Sequence, residues 1–130
     1  MANVDSDNWA HPARQTNPGK PFLLRGKITA VPVTADVWRW FKIPANSRLV
    51  NAWLRNTDGG TDVPGTLVDS AGSPFTYDAD IVFETASGFT QIILGLGNVY
   101  TEELELTSVI GTVDTGQSMT AEVFFLMENL

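Results

Sequence analysis

Hydrophobic and polar positions alternate with a period of two along most of the chain after residue 22, and a helical period almost nowhere persists beyond two turns. The clearest alternation runs over residues 118–127, which predicts a strand with one buried face. Members of that face are Met119, Ala121, Val123, Phe125 and Met127. Other strand-like segments are 22–31, 37–43, 48–57, 66–69, 90–96 and 103–110, whereas residues 78–86 fit either a strand or two helical turns.

About seven or eight short strands separated by turns predict an all-β domain, an antiparallel β-sandwich or jelly roll. Two of the turns predict hairpins: residues 44–47 join 37–43 to 48–57, and residues 111–116 join 103–110 to the last strand. The alternation divides segment 37–43 into one face with Val37, Arg39, Phe41 and Ile43 and another with Trp38, Trp40 and Lys42. It divides segment 48–57 into Val50, Ala52 and Leu54 against Leu49, Asn51, Trp53 and Arg55.

Residues 1–21 have a different composition, with three prolines and a glycine among short polar residues and Trp9 as their large apolar side chain. Such a segment cannot bury enough apolar surface to offset the entropy cost of ordering. We therefore predict an extended N-terminal arm over residues 1–21, followed by one β-sandwich domain over residues 22–130. The arm would order on a partner's surface; a frayed and unused terminus is the alternative.

Size and residue usage exclude several classes of protein. The 130 residues suffice for one well-buried core, and 43% of them are hydrophobic. The chain has no cysteine and a single histidine, so it lacks a thiol nucleophile, a disulfide framework and the usual ligands of zinc. Residues 1–11 do not resemble an export signal, and the longest apolar runs are too short to span a membrane. We expect no membrane partner.

The charge is distributed unevenly along the chain. All eight Lys and Arg residues lie before position 56 together with three acids, for a net charge of +5, and the other twelve acids follow, for −12. The overall charge of −7 disfavours direct binding to nucleic acid, which needs clustered basic residues. The two halves either pair with each other in the fold or form opposite faces for different partners.

The remaining polar motifs predict no enzyme. The acids Glu102, Glu103 and Glu105 are neighbours on a strand start, so they fit a solvated face better than a catalytic pair across a cleft. No glycine pair fits a phosphate-binding loop, and no serine lies in a nucleophile elbow. We therefore expect no catalytic residues, no metal ligands and no cofactor.

Three tryptophans carry the most specific signal. Trp38 and Trp40 share a strand face, and Trp53 would face them across the predicted hairpin, so the three indoles could form one aromatic surface. That surface would be half of a sandwich core, a platform for stacking sugar rings, or a subunit interface rimmed by Arg39 and Arg55.

Residues 40–54 (WFKIPANSRLVNAWL), with Asn56-Thr57-Asp58-Gly59-Gly60 and the short strand at 67–69, resemble small virion proteins that decorate or cement the capsids of tailed bacteriophages. The resemblance extends over roughly residues 28–128, through Tyr100-Thr101-Glu102 and the terminal pair of strands. The proline-rich arm and the inserted residues 62–65 depart from the pattern.

The resemblance implies a homotrimeric virion protein on the outer capsid surface, assembled in the host cytoplasm, that bridges subunits of the major capsid protein. Its partner-binding residues would include the aromatic and basic side chains nearest the arm: Trp9, His11, Arg14, Lys20, Arg25 and Lys27. The alternative is a carbohydrate-binding β-sandwich of a head fibre or host-adsorption structure, with Trp38, Trp40 and Trp53 as its platform.

Overall fold

The computed structural model describes residues 2–10, 18–58, 63–83, 88–113 and 116–130. Within them the chain forms strands and turns and no helix. The ten strands are β1 (Asn3–Asp5), β2 (Pro21–Ala30), β3 (Val37–Ile43), β4 (Ser47–Asp58), β5 (Val63–Asp69), β6 (Thr76–Phe83), β7 (Gly88–Ile92), β8 (Val99–Tyr100), β9 (Leu104–Val109) and β10 (Met119–Asn129).

The strands form two five-stranded sheets. The first sheet has the order β1-β3-β9-β5-β6, and the second has the order β2-β10-β4-β7, with β8 also paired to β4. Every pairing is antiparallel except that of β1 with β3, which is parallel. The protein is an all-β sandwich, as the alternation predicts.

The core lies between the sheets, and β10 shows why the sequence folds this way. Its five alternating apolar side chains are all buried, and Phe125 contacts both Phe41 and Tyr77 edge-on, at 5.2 and 5.3 Å between ring centroids. Leu104 and Leu106 of β9 are buried in the same way, whereas Glu105 between them is exposed. The period-two pattern therefore fixes the inner face of both strands.

Two β-bulges change the faces predicted for β3 and β4. The register of β3 against β9 shifts between Arg39 and Phe41, so the successive residues Trp40 and Phe41 are both buried. The register of β4 against β10 shifts between Leu126 and Met127, so Leu49 is buried and Val50 is exposed, the reverse of their predicted positions. A bulge inserts one extra residue, which moves every later side chain to the opposite face.

Both predicted hairpins are wrong. Strands β3 and β4 follow each other in the chain but belong to different sheets, and the same is true of β9 and β10. The turns at 44–47 and 111–116 therefore carry the chain across the sandwich rather than between paired neighbours; residues 114–115 lie outside the described part. The ambiguous segment 78–86 is strand β6 as far as Phe83, and residues 84–87 lie outside the described residues.

Residues 2–10 pack against the body, which corrects the prediction of a segment that orders only on a partner. Strand β1 extends the first sheet, and the Ser6 hydroxyl donates a hydrogen bond to the Trp40 carbonyl. Asp7 and Asn8 then bond to the backbone of β2 in the second sheet. This segment, residues 2–10, thus ties the two sheets together. At the other end of the predicted arm, Gly19 and Lys20 bond to the Asn129 backbone and Pro21 begins β2. The arm therefore stays a prediction only for residues 11–17, which are not described.

A second tie between the sheets is a buried group of polar side chains. The Tyr77 hydroxyl donates to Asp69 Oδ2 at 2.9 Å and lies 2.6 Å from the Tyr100 hydroxyl. Tyr77 and Asp69 belong to the first sheet and Tyr100 to the second. Burial is the main cause that raises the pKa of Tyr100 to about 12 and the pKa of Tyr77 further above its ordinary value.

Candidate contact surfaces

The described residues hold no arrangement typical of an active site. Glu102, Glu103 and Glu105 are exposed, as predicted for a solvated face. No group of three or more acidic, histidine or cysteine side chains in this part of the chain is placed to hold a metal ion. No helix in the same ranges is long and apolar enough to cross a membrane. The candidate functional sites are therefore surfaces.

The predicted anchors of the arm fall into three groups. Trp9 is buried, with the Arg39 guanidinium 4.6 Å and the Lys42 ammonium 5.5 Å from its ring centroid, so the protein itself covers this indole. Lys20 is exposed beside the last strand, where its backbone carbonyl accepts a hydrogen bond from the backbone N–H of Asn129. His11 and Arg14 lie outside the described residues.

The other two predicted contact residues, Arg25 and Lys27, lie on the outer face of the second sheet. The Arg25 guanidinium donates to Glu122 at 2.7 Å, and Arg55 lies 3.7 Å from the same carboxylate on its other side. Lys27 is exposed, and no ion pair involves it among the described residues. Asp7 and Asn8 bond to the backbones of Lys27 and Arg25, whereas the Trp9 indole is covered by Arg39 and Lys42 of the first sheet.

Ion pairs join the basic and acidic parts of the chain. Arg25 and Arg55 share Glu122, whose carboxylate is nearly buried, and Arg48 pairs with Glu128 at 2.9 Å. All three arginines precede residue 56 and both glutamates lie on β10. Three of the eight basic residues thus pair with two of the twelve acids that follow residue 56, so internal pairing, one of the two interpretations of the sequence, accounts for part of the asymmetry.

The predicted aromatic surface of Trp38, Trp40 and Trp53 is wrong. Trp38 and Trp40 are fully buried and meet edge-on at 5.9 Å, and the Trp40 indole N–H donates to the Ser108 hydroxyl at 2.8 Å. Trp53 is on the opposite sheet and points outward, because β3 and β4 do not pair. The first two indoles belong to the core, which was one of the alternatives.

A different set of aromatic side chains covers the outer face of the second sheet. Trp53 stacks on Phe124 with 5.4 Å between centroids and 14° between planes, and Phe89 is 6.5 Å from Phe124. Phe89 is exposed, with the Arg55 guanidinium 5.5 Å from its ring centroid. The sequence signal for this face was the alternation in β10, where Phe124 falls on the side opposite the core.

A groove of about 430 Å³ opens on the same face between β4 and β7. Its walls are Trp53 and Phe89, and two amide side chains, Asn51 and Gln91, complete the lining. The amides are fixed relative to each other, because Gln91 Nε2 donates to Asn51 Oδ1 at 3.0 Å and the Ala52 backbone N–H donates to the same oxygen. The groove is therefore aromatic at its sides and polar at one end.

An apolar patch lies at the margin of the second sheet where β7 leads into β8. We call it the apolar edge and define it as Val50, Ile93, Leu94, Leu96 and Val99. Its members are between 38% and 70% exposed, and they make up five of the eleven large hydrophobic side chains exposed in the described ranges. A concentration of exposed apolar side chains in one turn and the strand beside it is typical of a contact with another protein.

The turn that carries the apolar edge is held in place by the body. The Gly97 N–H donates to the Leu49 carbonyl at 2.8 Å, and the Leu49 N–H donates to the Asn98 carbonyl at 2.9 Å. Gly95 has a positive φ of 85° and lies against the Tyr77 ring, where a β-carbon would come within 2.7 Å of that ring. The side chains of Leu94 and Leu96 consequently stay outside on a fixed backbone. Sequence reasoning missed this surface, although the unbroken run 92–94 was its signal.

The fold resembles chains from two bacteriophage capsids. A chain from the capsid of Ralstonia phage GP4 superimposes with a TM-score of 0.71 and 14% identity, covering 98% of both chains. A chain from the capsid asymmetric unit of cyanophage Pam1 gives a TM-score of 0.63 and 19% identity, covering 95% of this chain and 97% of the other. No family model and no curated protein matches the sequence.

Proposed function

We propose that this chain is a structural virion protein that binds the outer surface of a bacteriophage capsid and stabilises it by bridging neighbouring major capsid protein subunits. The observation that carries the proposal is the similarity in fold, over almost the whole chain, to two chains that come from phage capsids. The protein would join the shell in the host cytoplasm and remain on the virion.

The apolar edge is the surface best suited to the shell. Its side chains are exposed on a turn whose backbone bonds to Leu49, so binding would bury apolar area with little loss of backbone entropy. Four of its five residues lie within an uncharged stretch, residues 88–101, so a chain with a net charge of −7 can approach another protein there with little like-charge repulsion.

We further propose that the shell-bound form is a homotrimer. The aromatic side of the second sheet offers a second apolar contact area, and symmetric association is the usual way to cover such an area. Lys20 and Lys27, both exposed, would add contacts to an acidic shell that weaken as salt rises. Light scattering with and without shells tests the trimer; a monomer in both samples would contradict it.

The decisive experiment is co-sedimentation of the purified chain with shells of the major capsid protein of the phage that encodes it. We expect the wild type to bind, and Leu94→Ser with Leu96→Ser to weaken binding at least tenfold. The matched control is Leu23→Ser, an equally exposed leucine on β2 at the far edge of the same sheet. Equal binding of all three proteins would refute the apolar edge as the contact, and absence of wild-type binding would refute the function.

Stabilisation follows from binding to the assembled state alone. A ligand at a hundred times its Kd raises the free-energy cost of disassembly by about 2.7 kcal/mol per site, and a shell has many sites. Heating bare and decorated shells while recording DNA release measures the effect. Release at the same temperature from both would show that the protein binds without stabilising.

A further inference from the structure

We propose that the groove between β4 and β7 is a binding site for a neutral sugar ring, separate from the apolar edge. The proposal does not rest on a role in a capsid. It rests on the four residues that line the groove: Asn51, Trp53, Phe89 and Gln91. The groove of about 430 Å³ is open to solvent over most of its boundary, so it would cover one face of a ring rather than enclose a ligand.

The amide pair supplies the polar half of a sugar site. Asn51 Oδ1 accepts two hydrogen bonds, from the Ala52 N–H and from Gln91 Nε2, which fixes the orientation of both amides. Asn51 Nδ2 is then left as a donor and Gln91 Oε1 as an acceptor at the end of the groove. Neighbouring hydroxyl groups on a sugar ring can each accept and donate, so two of them match this donor and acceptor together.

The aromatic walls supply the apolar half. Phe124 belongs to β10 and stacks on Trp53 from one side, whereas Gln91 and Phe89 belong to β7 on the other side. The Phe89 ring also lies 6.5 Å from Phe124, so the three rings form one aromatic cluster that holds Trp53 in place, and Trp53 and Phe89 are the members that line the groove. A rigid aromatic face beside convergent polar groups suits the C–H face of a pyranose.

The charges around the groove select a neutral ligand. None of the lining residues in the described part of the chain is charged. Arg55, a cation on the same face, has its guanidinium 5.5 Å from the Phe89 ring centroid and 3.7 Å from Glu122. Its charge is balanced by that carboxylate, so it gives little attraction to an acidic sugar. The polar end of the groove also distinguishes it from the apolar edge, where every side chain is aliphatic.

The test has two steps on the full chain. A printed array of neutral and sialylated glycans identifies ligands, and the best binder is titrated while the indole N–H signal of Trp53 and the amide signals of Asn51 and Gln91 are followed by NMR. We expect neutral glycans to bind, with shifts confined to those signals. Gln91→Ala and Trp53→Ala should each weaken binding at least tenfold, and Asn3→Ala, an exposed amide on the first sheet, should not change it.

Three outcomes would overturn the proposal. They are no binding of any glycan at about 10 mM, well above the Kd of a millimolar ligand; binding of sialylated glycans alone; and binding that survives both groove variants. If instead the groove variants lose attachment to shells while no glycan binds, the face is a protein contact and the sugar site is wrong. Circular dichroism of each variant confirms that the fold is retained.

Discussion

Removing the Tyr77 hydroxyl should cost this fold more stability than its single oxygen atom suggests. The hydroxyl donates to Asp69 Oδ2 and hydrogen-bonds the Tyr100 hydroxyl, and all three residues are buried. Asp69 Oδ1 is held by the Ala71 and Phe75 backbone N–H groups, so the carboxylate cannot turn to find another donor. Tyr77→Phe therefore leaves a buried carboxylate oxygen and a buried hydroxyl each short of a partner.

The magnitude follows from these two losses. A hydrogen bond to a charged group contributes about 1.5–3 kcal/mol, and a buried polar group left without a partner costs about 1–3 kcal/mol. Part of the energy of the lost hydrogen bond is also included in the cost of the unpartnered group, so the two ranges cannot simply be added. We expect Tyr77→Phe to lower the free energy of unfolding by about 2–4 kcal/mol. Tyr100→Phe should cost about 1 kcal/mol, since it leaves the bond from Tyr77 to Asp69 intact.

Urea denaturation of the wild type, both single variants and the double variant measures these values. The double-mutant cycle should show a coupling of at least about 0.5 kcal/mol between the tyrosines, whose oxygens are 2.6 Å apart. A loss below about 0.5 kcal/mol for Tyr77→Phe, or a larger loss for Tyr100→Phe, would refute the reasoning. Unchanged m-values ensure that the comparison is between similar unfolded states.

The remaining predictions concern pH, a close backbone contact, a shared carboxylate and the N-terminal segment. Both tyrosines of the chain belong to the buried polar group, and burial raises the pKa of both, to about 12 for Tyr100. Above pH 10 the unfolded chain therefore binds fewer protons than the native one, so the free energy of unfolding should fall as pH rises from 10. Tyrosinate absorbance that appears with an ordinary tyrosine midpoint, while the protein stays folded, would contradict this. Gly26→Ala should lower the free energy of unfolding, measured by thermal denaturation, by at least about 2 kcal/mol, because the added β-carbon would overlap the Trp40 carbonyl oxygen. Gly72→Ala is the control and should be nearly neutral, because the added β-carbon would meet no atom within 4 Å. Glu122→Gln should lower the free energy of unfolding by about 1–2 kcal/mol, because it removes the negative charge that Arg25 and Arg55 share. The loss should be smaller at high salt, and a loss that does not depend on salt would assign the effect to packing. Deleting residues 2–10 should lower the melting temperature, since it removes β1, the Ser6 bond and the Trp9 contacts; an unchanged temperature would restore the prediction of an independent arm.

The inner faces of strands could be predicted where alternation is unbroken, and β10 and β9 are the examples. The face predictions for β3 and β4 fail for one shared cause, because Trp40 and Val50 are the extra residues of two bulges that local sequence does not mark. Alternation also says which side of a strand is buried but not which strand lies beside it. That is why two turns that look like hairpin connections cross between the sheets instead, and why Trp53 is separated from Trp38.

The candidate surfaces also depend on which strands lie side by side, which the alternation of residues does not predict. Residue types alone exclude catalysis by thiols and by histidine clusters, because folding cannot supply side chains that the chain lacks. The apolar edge and the groove depend on residues from β4, β7 and the turn after β7, which only the sheet order brings together. The sequence does show an unbroken apolar run at 92–94 and an outward position for Phe124. It does not show which residues of other strands lie beside them.

The positions of the two proposed sites imply that they can be occupied at the same time. The groove opens on the outer face of the second sheet, whereas the apolar edge follows its margin along the β7–β8 turn. A shell that covers the margin would leave the outer face accessible unless a neighbouring copy covers it. Shell-bound protein should therefore bind the same glycan with the Kd of the free chain if the trimer contact lies elsewhere. Loss of glycan binding on assembly would instead place the subunit contact on the aromatic face.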